Sequence, residues 1–156
     1  WERILSSWDR GMKFASDFDI SHRKMIQTGE QLYFQHCTSC HGADGQGVQV
    51  PGTNQYLAPS LVESNRVHGD PEQLIPLFFH GMMGPIDGKN YSAGYMAPAK
   101  SFGIERDDRL ADLISYLRYA WGKEGDCVEK DLVSQIKRKH QARTSPWTDK
   151  ELKSLK

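Results

Sequence analysis

Long apolar runs, surplus charge and cysteine are all scarce in this chain of 156 residues. No stretch approaches the roughly 20 consecutive apolar residues that crossing a bilayer requires, so no membrane span is expected. The 20 Lys/Arg and 20 Asp/Glu side chains cancel and the sequence pI is about 7.2. That balance excludes a charge-driven binder of nucleic acid or anionic membrane. Three cysteines cannot build a multi-disulfide framework and leave one thiol over however the others are used. There is no internal repeat and no low-complexity run. The chain opens on Trp1 with neither an initiator Met nor an apolar leader, which implies a processed chain or an excised segment.

What charge there is divides unevenly. Residues 1–122 hold 11 Lys/Arg against 14 Asp/Glu, whereas residues 123–156 hold 9 against 6. The length suits one domain with appendages. Apolar residues at helical spacing, Ile4, Leu5, Trp8 and Met12, predict a lead-in helix over 3–14. Ser21 is placed to cap a second helix running to His36. Asp70, Pro71 and Glu72 make a helix start, and the short helix that follows carries a strained Pro76. Leu110, Leu113, Ile114, Leu117 and Trp121 form the stripe of a closing helix, with acids at its start and Gly122 at its stop. Val128, Leu132, Val133 and Ile136 predict a further helix, and Thr148 with Glu151 a capping box. Between these lie two long loops rich in glycine and proline, 42–60 and 80–103. Within the second, "DGKN" flanked by Ile86 and Tyr91 predicts a small hairpin.

Two of the three cysteines stand three apart and a histidine follows at once, in "CTSCH", Cys37 to His41. Zinc needs four ligands, and the nearby His36 and His41 are too close to the thiols for the usual finger spacing. A thioredoxin-like dithiol wants a preceding strand in a βαβ unit, and none is predicted. Covalent haem attachment explains what these leave unexplained. Each thiol adds to one vinyl group, and the adjacent imidazole reaches the iron from the same turn.

Four segments in order then resemble the class I, mitochondrial-type cytochromes c. "GEQLYFQHCTSCHG" resembles their first helix and attachment site, "APSL" the proline segment after it, "GYMAPAKSFG" their methionine loop, and "DDRLADLISYLRYAWG" their closing helix. The resemblance covers about residues 22–122. It implies an all-α class I cytochrome c fold around one covalent haem c, with a lead-in helix and linker (1–21), a cytochrome domain (22–122) with a small hairpin insertion, and a C-terminal helical extension (123–156). "LFFHGMMGPI", "GYMAPAKSFG" and "PWTDKEL" together are similar to the cytochrome domain that ends large dehydrogenases of planctomycete-type bacteria.

The resemblance also implies roles. Cys37 and Cys40 bind the haem, His41 is the proximal iron ligand, and Met96 is the distal one among Met82, Met83 and Met96, with Met83 as second choice. The backbone oxygen of Pro59 receives the other ring N–H of His41; shaping a loop is the alternative role for Pro59. His80 and His68 are lesser candidates for the distal position, and His22, His36 and His140 carry no partner pattern. Arg66, Tyr91 and Trp121 are candidates for the haem propionates, with a surface salt bridge or packing as equal explanations. Gly29 and Tyr33 match the crossing of first and last helices, as do Leu113, Tyr116 and Leu117. Cys127 is expected to be an inert thiol, and "KRKH" a solvated face or a dock for an acidic partner. The implied function is single-electron transfer without catalysis. Its partner is a dehydrogenase or oxidase, and its place is periplasmic or otherwise extracytoplasmic. A haem enzyme or gas sensor with an open sixth position is the alternative.

Overall fold

A computed structural model describes residues 20–122 and 127–155. The lead-in helix expected over 3–14 lies outside the described residues. Helix α1, Ile20–His36, begins one residue before Ser21, so that serine sits inside the first turn and does not cap it. A single turn, α2 (Thr38–His41), and a single turn α3 (Asn65–His68) bracket the first long loop. Helix α4 (Pro71–His80) starts as its sequence dictates: the Asp70 carboxylate accepts from the Glu72 N–H at 2.8 Å, and proline occupies the first helical position.

Strands β1 (Met82–Met83) and β2 (Tyr95–Met96) pair antiparallel, with Met82 facing Met96 and Met83 facing Tyr95. Between them Ile86 and Lys89 exchange both backbone bonds at 2.9 Å around Asp87 (φ 50) and Gly88 (φ 75). Positive φ at both central residues suits a turn of the primed kind, whose twist matches the strands. A 3₁₀ turn, Ala99–Phe102, leads into α5 (Asp107–Trp121).

The core is built on α1 crossing α5. A side chain at Gly29 would begin 2.0 Å from the Asp112 carbonyl oxygen, so glycine lets the backbones meet. Around that contact Tyr33 is fully buried, its ring centroid 5.7 Å from Tyr116 and 4.8 Å from Trp121. Leu110, Leu113, Ile114 and Leu117 line the buried side of α5.

Residues 128–155 join the same core through Val128, Val133, Ile136, Trp147 and Leu152. Helix α6 (Lys130–Lys139) carries the basic "KRKH" run, yet two of its lysines are engaged within the chain. Lys137 bonds Asp107 of α5 at 2.7 Å and Lys139 bonds Glu72 of α4 at 3.0 Å. Helix α7 (Asp149–Lys153) opens with the complete Thr148–Glu151 capping box. Just before it, Trp147 bridges Met82 in parallel: its N–H donates to Gly81 and its oxygen accepts from Met83, both at 2.9 Å. The extension thereby lies beside β1. No described helix is long and apolar enough to cross a membrane.

Candidate haem site

Helix α1 hands the chain to the CTSCH turn without a break. Cys37 N–H donates to Tyr33 O at 2.8 Å, and Cys37 O accepts from His41 N–H at 2.9 Å. One helical turn therefore presents Cys37, Cys40 and His41 together, and all three line one cleft. Burial and the neighbouring Cys40 push the Cys37 thiol up to about 12, which keeps it protonated and unlike the low-pKa thiolate of a dithiol exchanger. No group of three or more His, Cys, Asp or Glu side chains among the described residues is placed to hold a metal ion.

The His41 Nδ1 lies 3.1 Å from the Pro59 carbonyl oxygen. That oxygen only accepts, so Nδ1 carries the hydrogen and Nε2 holds the free lone pair. Burial lowers the imidazole pKa against the opposing pull of the Pro59 bond, so the ring is neutral and able to coordinate. Loop 42–60 is ordered by backbone bonds that fix this arrangement. Gly47 N–H reaches His41 O at 2.8 Å, Val48 N–H reaches Cys40 O at 3.0 Å, and Leu61 N–H reaches Gly45 O at 2.7 Å.

The β1–β2 hairpin brings thioethers to the same cleft. Met96 lines it, and so does its cross-strand partner Met82, which is only 5% exposed. Met83 is 48% exposed and does not line it. Successive strand residues point to opposite faces, so one residue's difference in sequence separates cleft from solvent. The second thioether beside Met96 is thus Met82, not Met83.

Leu57, Ala58, Leu61, Val67, Leu74, Leu77, Phe78 and Leu117 supply apolar walls. Arg66 and Tyr91 are polar members of the lining, and Arg66 Nε is buried without a partner. Trp121 does not line the cleft; its ring packs on Tyr33 and Tyr116, which removes it from the candidates for haem contact. His80 and His68 stand outside the cleft as well. His80 meets the edge of Trp147, and His68 Nε2 is buried without a partner. His36, given no role from sequence, lines the cleft beside Phe102, their rings 6.0 Å apart. An apolar slot holding two thiols, a neutral imidazole, thioether sulfur and an unsatisfied guanidinium N–H suits a porphyrin with acidic substituents better than a hydrated ion.

A sequence profile described as Cytochrome c matches residues 26–121. Cytochrome c-552 of Thermus thermophilus is 32% identical over 94 residues, covering 60% of this chain and 68% of that protein. A second Thermus thermophilus cytochrome c-552, from another strain record of the species, is 32% identical over the same length, covering 60% of each chain. A shorter match, 33% identical over 55 residues, is to the Cbb3-type cytochrome c oxidase subunit FixP of Sinorhizobium medicae, covering 35% of this chain and 17% of that subunit. With the helical fold and the cleft, these place the chain in the cytochrome c family, as a class I member with covalently bound haem c that serves electron transfer.

Proposed function

We propose that this chain relays single electrons through one haem c tethered by Cys37 and Cys40, with His41 and Met96 as axial iron ligands. The observation that carries the reading is that these four side chains, drawn from segments far apart in sequence, line one cleft. The bound haem supplies a one-electron ferric/ferrous couple. The chain's own residues hold and tune it. The Pro59 carbonyl orients the His41 ring and raises its basicity. Thioether sulfur favours the ferrous state, and the apolar walls exclude water. With both axial positions filled no site remains for a substrate, so the activity is transfer and not catalysis.

The electron donor is a dehydrogenase and the acceptor a respiratory partner. Likeness to a protein named as an oxidase subunit supports the second. Haem attachment of this kind places the chain outside the cytoplasm.

Met96→Ala is expected to abolish the weak far-red absorption band that marks methionine sulfur on ferric haem, whereas Met82→Ala retains it. The reverse pattern moves the ligand to Met82. Absence of the band in the wild-type protein overturns methionine ligation in favour of an open sixth position.

A further inference from the structure

Residues 143–153 form a rigid bracket over the hairpin end of the cleft. Trp147 is 5% exposed, bonded through its backbone to Gly81 and Met83 and through Nε1 to the Pro76 carbonyl at 3.1 Å. The Arg143 guanidinium sits 3.7 Å above the Trp147 ring and pairs with Glu151 at 2.9 Å. Glu151 in turn closes the capping box on Thr148. Between these anchors the chain has little freedom to place Asp149 anywhere else.

The Asp149 carboxylate is used on both oxygens. Oδ1 accepts from Arg66 Nη2, while Oδ2 accepts from the Asp87 N–H at 3.2 Å and from Lys153 Nζ at 2.7 Å. The Arg66 side chain is 10% exposed and that of Asp149 14%. Arg66 lines the haem cleft and Asp149 does not.

We propose that Asp149 is a positioning residue that holds the Arg66 guanidinium beside the cleft, so that the C-terminal bracket sets the reduction potential of the haem through Arg66. A buried guanidinium is retained only where its charge is paired and its donors are used. Asp149 meets that need from the side away from the haem. It leaves Nε buried and without a protein partner, available to an acidic substituent of the cofactor. A cation fixed beside the cleft disfavours the extra positive charge of ferric iron and so raises the potential. Asp149 itself is ionised. Burial raises its pKa, but hydrogen bonds from Lys153 and Arg66 outweigh that and hold it below the usual carboxylate range.

The direction of the effect separates positioning from plain charge. Removing an anion that acts only through space raises the potential. Releasing Arg66 from the cleft lowers it, because the lost cation lies nearer the haem than the lost anion. The inference rests on the cleft being the haem site. Its test is the midpoint potential of the full haem-loaded chain, with the far-red band recorded in every variant so that a change of axial ligand is recognised separately. Arg66→Gln and Asp149→Asn are each expected to reduce the ferrous:ferric ratio at fixed ambient potential by about three- to tenfold, tenfold being 59 mV for a one-electron couple. In the Arg66→Gln background Asp149→Asn is expected to add less than a third of its separate effect. A raised or unchanged potential in Asp149→Asn, or full additivity with Arg66→Gln, overturns the proposal. Asp149→Glu keeps the charge but displaces it, and should lower the potential by less. If Asp149→Asn yields no haem-loaded protein, an unchanged or raised potential in Asp149→Glu overturns the proposal instead.

Discussion

A Cβ at Gly29 would lie 2.6 Å from the Cβ of Tyr116, closer than real side chains come. The same atom would meet the Asp112 carbonyl at 2.0 Å, and a backbone cannot yield as a flexible side chain does. The crossing of α1 and α5 is therefore set by the absence of one methyl group, and this crossing delivers Tyr33 and, four residues on, Cys37.

Gly29→Ala tests that dependence. In an exposed helix interior the change would stabilise by about 1 kcal/mol through helix propensity. Here the forced separation of the helices is expected to outweigh that gain and leave a net loss of about 1–3 kcal/mol, as overpacking does elsewhere. Denaturant unfolding of the haem-loaded protein measures it. Equal or higher stability in the variant would show that the helices slide apart without cost.

Asp112, on the same crossing, gives a pH dependence with an unusual sign. Burial, helped by the Asp108 charge and opposed by Arg109 and Lys24, raises its pKa from 3.8 to about 6. A carboxyl whose folded pKa is raised binds its proton more tightly in the native state. Its contribution to stability is therefore favourable at low pH and declines as pH rises from the unfolded value through about 6. Glu151 runs the other way. Hydrogen bonds from Thr148 and Arg143 hold it down to about 2, so its contribution is present above 4.5 and is lost as pH falls. Subtracting the stability profile of Asp112→Asn from that of the wild type isolates the first group. The difference should turn against the wild type between about pH 4 and 6, in the window set by those two values. A flat difference would mean that Asp112 titrates like a solvated carboxyl.

What the sequence reveals of this molecule follows the range of the interactions. The CTSCH turn, the Asp70–Pro71 start, the Asp87–Gly88 turn and the Thr148–Glu151 box each depend on residues within a few positions of one another, and each is readable as a local pattern. The stripe of α5 is equally plain because its period alone marks the buried side. Choosing Met82 over Met83 is different, since both stand after the same helix and only the strand register tells which one turns inward. Arg66 and Asp149 are 83 residues apart, and nothing near either one announces the other. Trp147 is likewise just an aromatic residue until its backbone is found beside β1. Lys137 and Lys139, which suggest a docking surface when read as a charge run, are committed to Asp107 and Glu72 by packing of α6 that no local pattern encodes.

Pro59 separates a chemical role from a conformational one. The atom facing His41 Nδ1 is the backbone oxygen, at 3.1 Å, and any residue at position 59 supplies it. The proline ring contributes only a fixed φ and the loss of an N–H donor. Pro59→Ala is therefore expected to keep the ring nitrogen bonded, leaving the midpoint potential within a factor of about two in ferrous:ferric ratio, while stability falls by about 0.4–1 kcal/mol as the unfolded chain gains freedom. The two readouts must diverge for this account to hold. A potential that climbs as stability falls would show that the proline shape itself keeps the carbonyl on the imidazole, because a lost bond makes the ring less basic and a poorer donor to ferric iron.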